Sequence, residues 1–87
     1  MTKNNKERVL DIITPISNDI TVFLDDATGF AARVFFNGVD VSVVSSAMTH
    51  NRPEAAIFAD GKRISSSIPV ESTEEATQFV KDFMASR

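Results

Sequence analysis

The spacing of apolar residues along this chain changes twice, and the changes divide it into elements. Val9, Ile12, Ile13 and Ile16 recur at the three-to-four-residue interval of one helix face. Asn4, with Glu7 three residues on, offers a capping box ahead of them, so the spacing predicts a helix over 5–14 that Pro15 ends or kinks. Alternation then takes over. Ile20, Val22 and Leu24 point to one side of a strand and Thr21 and Phe23 to the other, before a turn at Asp25-Asp26-Ala27-Thr28-Gly29.

The strongest local signal follows. Phe30–Phe36 and Val39–Ser46 are β-rich runs separated by Asn37-Gly38, a dipeptide that tolerates the positive φ angles of a type I′ hairpin. A two-residue loop fixes the register: Phe36 pairs with Val39, Val34 with Val41, Ala32 with Val43 and Phe30 with Ser45, all on one face. That face is the expected core. The opposite face carries Phe35 across from Asp40, Arg33 across from Ser42 and Ala31 across from Val44.

Residues 47–54 lack any period and include Pro53, so they read as a loop of either simple or crossover connection. Asp60-Gly61 repeats the hairpin logic between Ala55–Ala59 and Lys62–Ile68, with Ile57 opposite Ile64 inward, Phe58 opposite Arg63 outward, and Pro69 stopping the strand. Ser72, with Glu75 three residues on, caps a second helix whose stripe is Ala76, Phe79, Val80, Phe83 and Met84. The expected architecture is α+β: a two-layer sandwich in which an antiparallel β-meander of about five strands has N- and C-terminal helices packed on one face, in the order α-β-β-β-β-β-α. The inward set is Ile20, Val22, Val34, Val41, Ile57 and Ile64.

Composition narrows the function classes. Eighty-seven residues suit one domain, 1–87, with 1–4 expected as a flexible tail. The absence of cysteine removes disulfides, thiolate metal sites and a cysteine nucleophile, and it suits a reducing, cytoplasmic setting. The polar N-terminus reads as neither a secretory signal nor a membrane anchor. Nine Lys and Arg against twelve Asp and Glu give a net charge of −3, which opposes attraction to nucleic acid or anionic lipid.

Candidate chemistry is sparse. His50 is the one histidine, and no partner in the sequence positions it as a base, so a surface loop histidine is the simpler reading. Ser45-Ser46 and Ser65-Ser66-Ser67 lack the glycines of a nucleophile elbow and read as solvated strand serines. Asp25-Asp26 lacks the spaced carboxylates of a calcium loop, and each of Gly29, Gly38 and Gly61 is assigned to a turn rather than a phosphate cradle. No enzyme activity, metal or cofactor is expected.

One oddity remains. If both helices cover the same side, the other side presents Phe23, Phe35, Phe58 and Val44 with Arg33, Arg63 and Asp40 among them. An apolar patch rimmed by charge marks a protein interface, and on a domain this small self-association is the leading expectation. The resulting reading is a non-enzymatic interaction module, homodimeric through its open face, of the kind an accessory or inhibitor protein from a mobile element would use. Two alternatives stand beside it: a platform of aromatics and arginine for single-stranded nucleic acid, and a small-molecule pocket beside the 47–54 loop.

Overall fold

The computed structural model describes residues 3–87. Asn4 caps helix α1 (Asn5–Ile13): its side chain accepts from the Glu7 N–H at 2.8 Å, and the Glu7 carboxylate accepts from the Asn4 N–H at 3.2 Å. Lys3 pairs with Asp11 on the same helix. The expected 1–4 tail therefore lies in part outside the described residues, and in part in this cap.

Four strands follow as a meander: β1 (Ile20–Asp26), β2 (Gly29–Phe36), β3 (Val39–Ser46) and β4 (Glu54–Ala59), with a single 3-10 turn at Ala47–Thr49 inside the β3–β4 connection. Two short strands, β5 (Lys62–Arg63) and β6 (Ile68–Pro69), both pair with β4, and α2 (Thr73–Ala85) closes the chain. The sheet is antiparallel throughout in the order β1-β2-β3-β4-β5, so the 47–53 loop makes a neighbour connection and no crossover.

The β2–β3 register is the one that the two-residue loop dictates, from Phe36↔Val39 to Gly29↔Ser46, with Asn37 at φ 55° and Gly38 at φ 87°. Its inner residues, Phe30, Ala32, Val34, Val39, Val41 and Val43, join Ile57 beneath Val9, Ile12 and Ile13 of α1 and Ala76 and Val80 of α2 in one buried cluster. Both helices thus lie on one side. A hydrogen bond from Thr73 Oγ1 to the Ile12 carbonyl, at 2.6 Å, ties the end of α1 to the start of α2.

Three elements depart from the sequence expectation. The single strand Lys62–Ile68 is two strands. Ile64 still donates to the Ile57 carbonyl at 2.8 Å, but the Ile57 N–H is then taken by the Ser65 hydroxyl, also at 2.8 Å, and a side chain in the ladder ends the pairing until β6. Pro69 is part of β6 rather than a stop before it, which an outer strand permits.

In β1 the register shifts between Val22 and Leu24, so Phe23 is the extra residue of a β-bulge and Leu24 pairs with Ala31, an outer-face position. Of Ile20 and Val22, both expected inward, only Ile20 packs on the core, while Val22 is half exposed on an edge strand. Gly29 is not needed for its backbone freedom either. A Cβ there would lie 2.4 Å from the Ser46 Cβ and 2.6 Å from the Ser45 carbonyl oxygen, so glycine lets β2 and β3 close at their far end.

Gly29→Ala should therefore destabilise the fold by at least about 2 kcal/mol in urea unfolding, an overpacking cost that falls on backbone atoms. The β1–β2 turn makes a pH prediction. The Asp26 carboxylate accepts from the Thr28 hydroxyl and, at 2.8 Å, from its backbone N–H, and these bonds, the hydroxyl first, hold its pKa below 3.8. A depressed carboxyl pKa stabilises the fold above the unfolded-state value and ceases to do so as pH falls through the folded one. A carboxyl NMR titration should find the Asp26 midpoint below 3.8, and Thr28→Val should raise it.

Candidate functional site

The register of the sheet sets the candidate face row by row. One row runs Phe35, Asp40, Phe58, Arg63 across β2 to β5; the next runs Thr21, Arg33, Ser42, Ala56; the third runs Leu24, Ala31, Val44, Glu54. Phe35, Arg33, Asp40, Val44, Phe58 and Arg63 fall on one face, as the alternation requires. Phe23 joins them through the bulge, which carries its ring beside Arg33.

Arg33 organises this face. Its guanidinium carbon lies 4.1 Å from the centroid of the Phe23 ring and 3.8 Å from that of Phe58, two strands away on β4. The intervening row holds only Ser42 and Ala56, and these small side chains leave room for the arginine to reach across. Arg33 Nε is buried and has no hydrogen-bond partner among the described residues. The two ring faces offset part of that desolvation, each contributing about 0.5–1 kcal/mol.

Around this stack the face is open. Phe35 is 65% exposed and Phe23 57%, while Phe58, Val44 and Asp40 are half-buried and Arg63 is exposed. Phe23, Arg33 and Phe35 line a shallow hollow of about 180 Å³ whose rim adds Thr21 and two carboxylates, Asp19 and Asp40. Among the described residues neither Asp40 nor Arg63 forms an ion pair; the Arg63 guanidinium reaches only Ser67 Oγ, at 3.5 Å.

The remaining candidates fall elsewhere. Ser45 and Ser46 are buried rather than solvated: Ser45 donates to Asn5 Oδ1 at 2.7 Å, and Ser46 Oγ accepts from the Met48 N–H at 3.2 Å. Both are inner-face or loop-capping groups with no base beside them. Ser65 is half-buried in the β4 ladder, and Ser66 and Ser67 are exposed. Among the described residues, no group of three His, Asp or Glu side chains is placed to hold a metal and no helix is long and apolar enough to cross a membrane.

His50 is exposed, but it does not stand on a plain surface. With Asn51 and Arg52 it forms one wall of a cleft of about 650 Å³ between α1, the 47–53 loop and the segment leading into α2. His50 and Asn51 have φ of 57° and 58°, two consecutive left-handed residues that cost about 1 kcal/mol or more each. The sequence places a pocket beside the 47–54 loop as one alternative but gives no sign of the other walls of this cleft. Its residues come from three segments far apart in the chain, and none of them is clustered by charge or spacing. The bulge at Phe23 has no sequence signal either, lacking the glycine that often marks one.

No protein-family model, no curated protein and no solved structure matches this chain.

If the stack organises the face, Arg33→Ala should lower stability by about 1 kcal/mol in urea unfolding. Arg33→Lys should recover less than half of the loss, because a compact ammonium cannot lie flat between two rings. Full recovery by lysine would mean that charge alone matters at this position.

Proposed function

We propose that this chain is a non-enzymatic protein-interaction module that pairs with a second copy of itself through the open sheet face. The observation that carries the reading is the exposed Phe35 beside the Phe23–Arg33–Phe58 stack. Aromatic and arginine side chains held rigid before binding lose little conformational freedom on docking, which is why such residues dominate interface energetics.

Charge supports a second copy as the occupant. Asp40 and Arg63 lie two strands apart in one row, roughly 10 Å across the sheet, and each lacks an ionic partner among the described residues. A two-fold axis lying between the two faces, parallel to the strands and above Phe58, brings each arginine over the other copy's aspartate, and the self-complementary surface closes as a dimer. Phe35 and Phe58 are then the apolar anchors, Phe23 and Val44 extend them, and Arg33 stiffens the centre. A platform for single-stranded nucleic acid is less well supported. Stacked bases need free ring faces, and Arg33 already occupies one face of both Phe23 and Phe58, on a chain of net charge −3.

Solution mass tests the proposal. The wild type should be dimeric at micromolar concentration, and Phe35→Asp should give a folded monomer with unchanged circular dichroism. Asp40→Arg and Arg63→Asp should each weaken the dimer about 10-fold, and combining them should restore it. A wild type that remains monomeric at high micromolar concentration ends the self-association reading. Salt-sensitive binding of short oligonucleotides, lost in Arg33→Ala, would favour the nucleic-acid platform instead.

A further inference from the structure

The second surface feature lies on the helix side of the sheet, and nothing in the proposed dimer uses it. It is the cleft that the 47–53 loop, α1 and the entry to α2 enclose, and its volume of about 650 Å³ falls in the range of small-molecule sites. The loop that walls it is held from three directions. The Arg8 guanidinium donates to the Asn51 carbonyl, Asn5 Nδ2 donates to Asn51 Oδ1 at 3.2 Å, and the Asn51 N–H donates to the Ser46 carbonyl at 2.7 Å. Asn5 is itself fixed from below by the buried Ser45 hydroxyl. These bonds keep His50 and Asn51 in the left-handed region, so the wall is preformed.

The lining divides by chemistry. Pro53 and Pro69, drawn together by the hydrogen bond from the Val70 N–H to the Pro53 carbonyl at 3.1 Å, supply an apolar side, with Ile12 and Val70 behind them. The charged side holds Lys3, Arg8 and Arg52 against Asp11 and Glu71. Lys3 and Asp11 neutralise each other. That leaves the guanidiniums of Arg8 and Arg52 facing Glu71 in the wall, with the Glu75 carboxylate behind it accepting from the Glu71 N–H at 2.7 Å. Arg8 points one nitrogen at the Asn51 carbonyl and keeps further donors, and the Arg52 side chain has no partner among the described residues.

We infer that this cleft binds a small organic monocarboxylate, its apolar body against Pro53 and Pro69 and its carboxylate on Arg52 and Arg8. The two arginine forks match a carboxylate bidentately. Two guanidiniums suit a monoanion, and the carboxylates of Glu71 and Glu75 oppose a dianion such as a phosphate monoester.

Benzoate is the probe, followed by amide NMR at neutral pH on the full chain, with benzyl alcohol and phenyl phosphate as matched ring compounds. Benzoate should shift the Asn51, Arg52 and Val70 amides saturably, with millimolar affinity, and more tightly than either control. Arg52→Gln, an exposed position whose spectrum will show whether the fold is intact, should weaken benzoate about 10-fold or more, the loss expected for one charge-assisted contact. The same titration on Phe35→Asp should be unchanged, so the cleft and the dimer stand or fall separately. Shifts that do not saturate or do not localise to the cleft, equal binding of benzyl alcohol, tighter binding of phenyl phosphate, or full affinity in folded Arg52→Gln would each overturn the inference.

Discussion

The register of the β2–β3 hairpin is the constraint on which the rest of the molecule depends. Side chains alternate along a strand, so a slip of β2 by one residue would send Phe35 and Arg33 under the helices and bring Ala32 and Val34 into water. Asn37-Gly38 prevents the slip by closing a two-residue loop in which both residues take positive φ. Everything buried under α1 and α2, and everything displayed on the reverse side, follows from that closure. Ala32 and Val43 are wholly buried while Phe35, one register step from Val34, is largely exposed.

The reverse face becomes more than scattered phenylalanines because of two additions to this plan. Small side chains at Ser42 and Ala56 open a path across the sheet, and the bulge in β1 moves Phe23 to where it can cover the near side of Arg33. The arginine so held links β1, β2 and β4 without a single hydrogen bond from Nε. A bulge in an edge strand also disrupts the free row of backbone donors and acceptors along β1, which disfavours edge-to-edge pairing there.

The helix side follows a different chemistry. Its 47–53 loop is anchored by polar groups rather than packing: a buried serine, an asparagine that bridges it to the loop, and an arginine on a loop carbonyl. Those bonds hold two non-glycine residues in a conformation they would not choose alone. The molecule thus displays an aromatic surface with a shallow hollow on one side and a deeper, charged cleft on the other.

The amino-acid pattern by itself determined the two helices, the meander, the central register and the outer-face residues of β2 to β4. Each rests on interactions between residues close in the chain: caps three residues apart, turns of two residues, and alternation with period two. Only the tertiary structure decided the bulge at Phe23, the replacement of a long fifth strand by two short ones at Ser65, the Asn5 partner of the buried Ser45, the steric need for Gly29, and the walls that α1 and the entry to α2 give the cleft beside His50. In each of these a side chain or backbone from a distant segment competes with the local preference and wins, as Asn5 does at Ser45 and Asn51 across some forty residues of chain. A linear pattern records which residues can bury and which can turn; it carries no record of which distant polar groups will meet.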